Sequence, residues 1–138
     1  MKVLVDTCIW SLALRGKNKP QDALVVEFQE LVKDARVQLI GPIRQEILSG
    51  IKKKSQFLTL KNTLSAFPDL LLVSEDFELA AEYFNILRGK GIQGSNTDFL
   101  ICSVSTRNNL PIFTYDKDFN LFIEHIPIAL HEMRSNMK

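Results

Sequence analysis

Short apolar runs that alternate with longer segments of helical periodicity are the feature that most restricts how this chain can fold. The runs at 2–5, 37–40 and 111–114 are too short for buried helices and are typical of buried strands. Between them, segments such as 24–32 repeat their apolar residues at a spacing near 3.6, which is typical of helices. The alternation predicts an α/β domain built on a mostly parallel sheet.

The remaining elements follow from the same periodicity and from the positions of proline and glycine. Helices are predicted over 7–14, from Pro20 through 32, and over 43–51, 57–67, 74–89, 97–107 and 118–123. The segment 70–73 is a short strand or a connector, and 126–130 is predicted to be the last strand.

The bulk composition indicates one globular domain covering residues 1–138. Hydrophobic residues make up 46% and charged residues 24%, which argues against disorder, and the net charge of +1 does not by itself indicate a nucleic-acid partner. No run approaches the roughly 18 apolar residues of a membrane helix, so we expect a cytoplasmic protein that does not enter membranes. The two cysteines give no disulfide framework and are expected to be reduced core residues.

Four carboxylates stand at positions where chemistry is expected. Asp6 and Asp116 directly follow apolar runs, and ligands gather at the carboxyl ends of parallel strands. Asp98 begins a mostly apolar helix, and Glu46 lies on a different helix. Each acid alone has a structural explanation, because Asp favours helix N-caps and first turns and Glu46 suits a solvated helix face.

As a set, the acids are harder to explain structurally. Burying several carboxylates together is costly unless a cation lies among them. Oxygen ligands without histidine favour Mg²⁺ or Mn²⁺ over zinc, and both histidines, His125 and His131, occur late in the chain and away from the acids. The residues therefore predict a divalent-metal site.

Four motifs in order give the chain a family resemblance. VDTCIW, RQEILSG, SNTDFLIC and FTYDKDF resemble the acidic motifs of the PIN-domain family, and most closely those of VapC-like ribonuclease toxins of type II toxin–antitoxin systems. The resemblance covers nearly the whole chain. It implies an α/β/α sandwich with a central, mostly parallel sheet of about four to five strands.

The resemblance also implies roles for individual residues. It makes Asp6, Glu46, Asp98 and Asp116 the catalytic metal-site acids, with Asp118 sharing or exchanging the role of Asp116.

Further residues have supporting roles by the same resemblance. Thr7 and Thr114 match hydroxyl positions near the acids, although simple capping would also explain them. Asn96 is a third supporting candidate that a helix N-cap explains equally well. From their closeness in sequence to the acids, Arg15, Arg44 and Lys117 are candidate phosphate contacts, the alternative being solvated surface charges.

The activity implied by the resemblance is a Mg²⁺- or Mn²⁺-dependent endoribonuclease that hydrolyses RNA phosphodiester bonds. The implied partners are a VapB-like antitoxin, laid over a groove between the early helices, and a second copy of the chain. Two alternatives stay open: a non-toxin PIN nuclease of RNA processing and a catalytically silent PIN-like binding module. A phospho-receiver domain is disfavoured because it needs an acidic pair behind the first strand, where this chain has Asp6 alone.

Overall fold

The computed structural model describes residues 1–14 and 22–134. Its helices are Thr7–Leu14 (α1), Ala23–Lys33 (α2), Gly41–Leu48 (α3), Lys54–Leu64 (α4), Ser74–Gly89 (α5), Asn96–Asn108 (α6) and Asp118–Phe122 (α7). Its strands are Val3–Val5 (β1), Val37–Gln38 (β2) and Ile112–Phe113 (β3). These helices and strands follow one another in the order predicted from the sequence, but the last strand predicted over 126–130 is not formed.

The sheet is parallel and has β1 at its centre. The strand order is β2-β1-β3, and the register pairs Val3 with Val37 on one side and Leu4 with Ile112 on the other. All of β1 is buried. A strand covered on both faces is expected to be continuously apolar, which explains the run at the start of the sequence.

The prediction of about four to five strands is wrong, because the described residues form a sheet of three strands. The segments 70–73 and 126–130 lie beside the sheet edges, where single parallel bridges join Leu39 to Asp69 and Ile112 to Leu130. Pro68 and Pro127 stand in or next to these segments. Proline has no N–H to donate, so a regular ladder cannot continue there.

The helices form two groups, as an α/β/α arrangement requires. In the first group α1 packs against α2 and α3, and α3 packs against α4. In the second group α5 packs against α6, which also contacts β3. The mostly apolar helix predicted over 97–107 is α6, and every residue from Phe99 to Ser105 is buried. Trp10 is also a core residue, with its ring packed edge-on against Phe28 and Phe67.

The end of the described chain is fastened to the sheet edge and to α2. The backbone N–H of His131 donates to the Ile112 carbonyl at 2.8 Å, and its Nε2 lies 2.6 Å from Oε2 of buried Glu27. His125 is exposed. His125 therefore lies on the surface and His131 at the sheet edge.

Two further features bear on earlier expectations. Both cysteines are free thiols; Cys102 is buried, whereas Cys8 is only half-buried. In the described ranges, no helix combines the length and the apolar character that crossing a membrane requires.

Candidate active site

The ends of β1 and β3 bring three of the predicted residues into contact. Asp6 follows β1 and is 6% exposed. Thr114 follows β3, and its hydroxyl donates to Asp6 Oδ2 at 2.8 Å while accepting from the Asp116 N–H at 3.0 Å. The parallel pairing of β1 with β3 thus fixes the two aspartates around one threonine hydroxyl.

Asp98 reaches the same region from the first turn of α6. Its N–H donates to Ser95 Oγ at 3.0 Å, and its Oδ2 accepts from the Ser95 N–H at 3.1 Å, which is a reciprocal capping box. The turn before the cap is closely packed: a Cβ on Gly94 would lie 2.8 Å from Phe99 Cζ and 2.9 Å from Phe122 Cζ. Glycine therefore lets the chain approach the core where it delivers Asp98.

Glu46 comes from α3 and is linked to α1. The hydroxyl of Thr7 donates to Glu46 Oε1 at 2.7 Å, across 39 residues of sequence. The backbone N–H of Thr7 meanwhile donates to Asp6 Oδ1 at 2.8 Å. Thr7 therefore joins the exposed glutamate to the buried aspartate, which is the supporting position that the resemblance implied for it.

The four acids line one open cleft, named here the acid cavity. Its volume is about 680 Å³. Its lining residues are Asp6, Thr7, Cys8, Ser11, Pro42, Gln45, Glu46, Ser49, Thr97, Asp98 and Asp116. None of these is basic. The structure therefore groups the four carboxylates at the carboxyl ends of β1 and β3, without a cationic side chain among the described residues that line them.

Carboxylate oxygens of the cavity accept hydrogen bonds from nearby N–H and O–H groups of the protein. Within residues 1–14 and 22–134, no group of three or more His, Cys, Asp or Glu side chains is arranged to hold a metal ion. Both oxygens of Asp6 are hydrogen-bonded, and Asp116 Oδ1 accepts from the Asp118 N–H at 2.9 Å. The acids share a cavity but do not converge on one coordination point.

Burial and mutual repulsion act on the two most enclosed acids. Burial raises the pKa of Asp6; hydrogen bonds from Thr114, Thr7 and Cys8 oppose the rise, and the charge of Asp116 adds to it. Burial likewise raises the pKa of Asp98.

The remaining influences on Asp98 show the same pattern. Hydrogen bonds from Ser95 oppose the rise in its pKa, while the charges of Asp6 and Asp116 add to it. Nearby carboxylates therefore destabilise the ionised forms of Asp6 and Asp98. This is the electrostatic state that a bound cation would relieve.

Other predicted residues lie outside the acid cavity. Asp118 begins α7, is exposed and does not line the cavity, so Asp116 is the acid of this motif that faces it. Arg44 is engaged elsewhere, because its guanidinium forms a salt bridge with Asp69 at 3.0 Å and donates to the carbonyls of Leu64 and Phe67. It joins α3 to the end of α4, so the structure gives no support to its predicted phosphate contact.

Three more candidates are accounted for as follows. Lys117 is exposed, next to the cavity in sequence but not lining it. Asn96 is not the cap of α6, a role that Ser95 fills, and it lines a neighbouring pocket instead. Arg15 lies outside the described residues.

Six lining residues were missed by the reasoning from sequence: Cys8, Ser11, Pro42, Gln45, Ser49 and Thr97. Helical spacing was the available signal for two of them. Ser11 lies four residues after Thr7, and Ser49 lies three after Glu46, so each shares a face with a predicted site residue. Cys8 was expected in the core, yet its Sγ lies 3.4 Å from Thr114 Oγ1 at the cavity wall.

Comparison with known proteins agrees with this arrangement. A family model described as "PIN domain" matches residues 3–122. "Ribonuclease VapC11" of Mycobacterium tuberculosis is 29% identical over 124 residues, which cover 86% of this chain and 90% of that protein. The same values hold for "VapC ribonuclease Mb1587" of Mycobacterium bovis.

Solved structures show the same fold at lower identity. FitAcB from Neisseria gonorrhoeae superposes with a TM-score of 0.75 at 17% identity, covering 94% of this chain and 96% of that chain. VapBC2 from Rickettsia felis, bound to a DNA fragment from their promoter, gives 0.74 at 22% identity, covering 95% and 98%. The matched segment 3–122 contains all four acids of the cavity, and the chain belongs to the PIN domain family.

Proposed function

We propose that this protein is a metal-dependent endoribonuclease and the toxin of a toxin–antitoxin pair. The observation that carries the proposal is the acid cavity, where four carboxylates from separate elements meet at the ends of parallel strands. The similarity to proteins named VapC ribonuclease, and to complexes named VapBC, supports the same reading.

The donor set of the cavity suits a hard divalent cation. It is dominated by carboxylate, hydroxyl and amide oxygens without histidine, which favours Mg²⁺ or Mn²⁺, and the Cys8 thiol in the same lining contacts Asp6 and Thr114. Asp6, Asp98 and Asp116 would be the main ligands, with Glu46 acting directly or through water. When bound, the ion would neutralise the phosphodiester's charge and acidify an attacking water.

The protein's own residues prepare this site. Thr114 holds Asp6 and the backbone of Asp116 in fixed relation, and Ser95 does the same for Asp98. Thr7 keeps Glu46 at the cavity edge, where its other carboxylate oxygen can orient water. The hydrogen bonds that now satisfy these oxygens also hold the side chains in place before any ligand binds.

Cleavage of total cellular RNA by the purified, partner-free chain tests the proposal. We expect cuts at discrete sites with Mg²⁺ or Mn²⁺, none with EDTA, and a loss of roughly a hundredfold to a thousandfold in Asp6→Asn and Asp98→Asn. Glu82→Gln, an exposed acid of α5, is the matched control and should cut normally.

Other outcomes of this experiment are informative. Asp118→Asn should retain activity if Asp116 is the functional acid of its motif. If the folded wild-type protein binds neither metal ion and cuts no RNA, the nuclease proposal is wrong and the chain is a binding module.

An antitoxin would have a continuous surface to occupy. One groove of about 690 Å³ is lined by Ser11, Leu14, Ile47, Ile51, Ser55, Gln56, Thr59, Leu60 and Thr63. A second groove of about 440 Å³ is lined by Trp10, Ala13, Leu14, Phe28, Gln29, Val32, Lys33, Thr63 and Phe67. The two grooves share Leu14 and Thr63, and the first meets the acid cavity at Ser11.

We propose that a VapB-like antitoxin lies along these grooves with apolar side chains in them and a basic group at the acids. Capture of the neighbouring reading frame's product by this chain tests the idea. Val32→Arg, at the wall of the second groove, should weaken capture. Leu58→Arg is the control, since Leu58 is equally exposed on α4 and lines neither groove. Equal capture by both variants would show that the antitoxin binds elsewhere.

A further inference from the structure

A second pocket lies directly beside the acid cavity, between α5 and α6. Its volume is about 420 Å³, within the range of about 300–1,000 Å³ that is usual for ligand pockets. It is lined by Phe77, Ala80, Ala81, Phe84, Asn85, Asn96, Thr97, Phe99 and Leu100, and is named here the α5–α6 pocket. No residue of this lining belongs to the proposed metal site.

Aromatic rings form one part of this pocket. Phe77 is 53% exposed at its rim, so its ring is accessible to a ligand. Phe84, seven residues later on the same helix face, packs edge-on against buried Phe99 with ring centroids 5.7 Å apart. Between them along α5, Ala80 and Ala81 are too small to fill the gap. The pocket is therefore open beside an aromatic surface.

Polar groups form the other part. The side-chain amides of Asn85 and Asn96 line the pocket, and neither makes a hydrogen bond to the described part of the chain. Each amide can both donate and accept. The Arg88 guanidinium lies 4.9 Å from the centroid of the Phe84 ring, so a positive charge stands next to the aromatic surface. None of the glutamates of α5 lines the pocket.

The α5–α6 pocket adjoins the acid cavity at Thr97. Asn96 lines the pocket, Asp98 lines the cavity, and Thr97 lines both. These three consecutive residues form the first turn of α6, where the rise is about 1.5 Å per residue. A ligand that spans Thr97 would occupy both sites at once.

We propose that the α5–α6 pocket binds one unpaired base of the RNA strand whose phosphodiester lies in the acid cavity. A nucleobase has a flat π-face to stack on Phe77 or Phe84 and a polar edge to pair with the two amides. Arg88 would contact a neighbouring phosphate. The inference rests on the proposed nuclease function and extends it, because it assigns a residue-level source of sequence preference.

The test uses short single-stranded RNA oligonucleotides that differ in one base next to the cut. Binding is measured in EDTA, where no cleavage occurs, and cut positions are mapped separately with Mg²⁺. Phe77→Ala should weaken binding about tenfold, the typical loss for one stacked base. Asn85→Ala should reduce the difference in affinity between bases more than the mean affinity.

Ile86→Ala is the matched control, since Ile86 is 43% exposed on the same helix and does not line the pocket. It should bind and cut as the wild type does. Circular dichroism and sedimentation accompany every variant, and because Phe77 and Asn85 are exposed, both variants should fold.

The outcomes separate this inference from the nuclease proposal. If the wild type cuts RNA and Phe77→Ala and Asn85→Ala behave like Ile86→Ala, the subsite is wrong and the nuclease stands. If no RNA is cut but Phe77→Ala still weakens binding in EDTA, the subsite stands and the nuclease proposal fails. A fall in the sedimenting mass of Phe77→Ala would overturn the subsite, because the pocket would then be covered by a second copy of the chain.

Discussion

Two regions of this molecule bury aspartates in opposite ways. Asp76, 2% exposed at the start of α5, has a cation of its own: Arg107 Nη1 lies 2.6 Å from its Oδ1. Its Oδ2 accepts from the Val73 N–H at 2.8 Å. Asp6, 6% exposed in the acid cavity, has hydroxyl, thiol and backbone donors but no cationic partner, and other carboxylates stand around it.

The difference distinguishes an acid that the fold itself neutralises from acids that it leaves without a cationic partner. A buried charge with a partner belongs to the architecture, since the ion pair and a backbone hydrogen bond satisfy it. Asp6 is buried beside the partly buried Asp98 and Asp116 without a cationic partner, which destabilises its ionised form. Such arrangements are concentrated at functional sites.

The largest expected effect comes from adding a cationic side chain to the wall of the acid cavity. Gln45→Arg places a guanidinium at the cavity wall, where it would pair with the carboxylates and compete with metal. We expect RNA cleavage to fall roughly 10- to 100-fold with no loss of thermal stability. Metal affinity by calorimetry and cleavage rates measure this, with Gln93→Arg, an exposed loop position, as the control. Undiminished cleavage would mean that RNA cleavage does not depend on a cation bound in the acid cavity.

Removing the partner from the other region should affect stability alone. Arg107→Ala leaves Asp76 buried without its cation, which should cost about 3 kcal/mol of unfolding free energy. Cleavage per folded molecule should not change, since neither residue lines the acid cavity. Denaturant unfolding measures the loss. Retention of full stability would show that the backbone hydrogen bond to Asp76 suffices by itself.

A third change tests how tightly the acid cavity is held by its surroundings. Gly94→Ala would push a methyl group into Phe99 and Phe122, which are buried and cannot move aside freely. We expect a loss of about 1–3 kcal/mol and weaker cleavage, because the same turn delivers Asp98. The control is Gly89→Ala, whose added Cβ meets no atom within 4 Å. Equal behaviour of the two variants would contradict the close packing at Gly94.

The smallest expected effects are opposite dependences of stability on pH. The pKa of Asp6 is raised, so its contribution is full below the unfolded value near 3.8 and is lost as pH rises through the folded pKa. Asp6→Asn should therefore raise the melting temperature by a few degrees at pH 7 without metal, and hardly at pH 3. Thermal scans across this range would show it.

Glu27 should respond in the other direction. Burial raises its pKa, but the His131 hydrogen bond and the Arg134 charge outweigh this, so the pKa is lowered. Its contribution is present above the unfolded value near 4.5 and is lost as pH falls through the folded pKa. Glu27→Gln should destabilise the protein most at neutral pH. Parallel pH profiles for Asp6→Asn and Glu27→Gln would refute the contrast between partnered and unpartnered acids.

The sequence predicts those parts of the site that depend on local pattern. Apolar runs end directly before Asp6 and Asp116, and a helix begins at Asp98, so strand ends and a helix start locate three acids. The choice between Asp116 and Asp118 depends on how the first turn of α7 is rotated, which periodicity over five residues cannot define.

Other features require the packing of distant elements. Arg44 is close to Glu46 in sequence, yet its guanidinium forms a salt bridge with Asp69 and does not line the acid cavity. The α5–α6 pocket exists because Ala80 and Ala81 leave space against α6. The spacing of residues along α5 shows which of them share a helix face, but it does not show that a space remains between the two helices. The number of strands was overestimated because apolar segments in or beside which a proline lies resemble strands in sequence, whereas here each forms only a single bridge to the sheet.

The central place of β1 in the sheet has a consequence during protein synthesis. Asp6 follows β1 and is linked to the backbone of Asp116 through the hydroxyl of Thr114, which lies 108 residues later in the chain. While the ribosome is still extending the chain, Asp6 has emerged but β3 does not yet exist, and the pocket of acids cannot assemble. The acid cavity can therefore assemble only after β3 and Thr114 have been synthesised, 108 residues after Asp6.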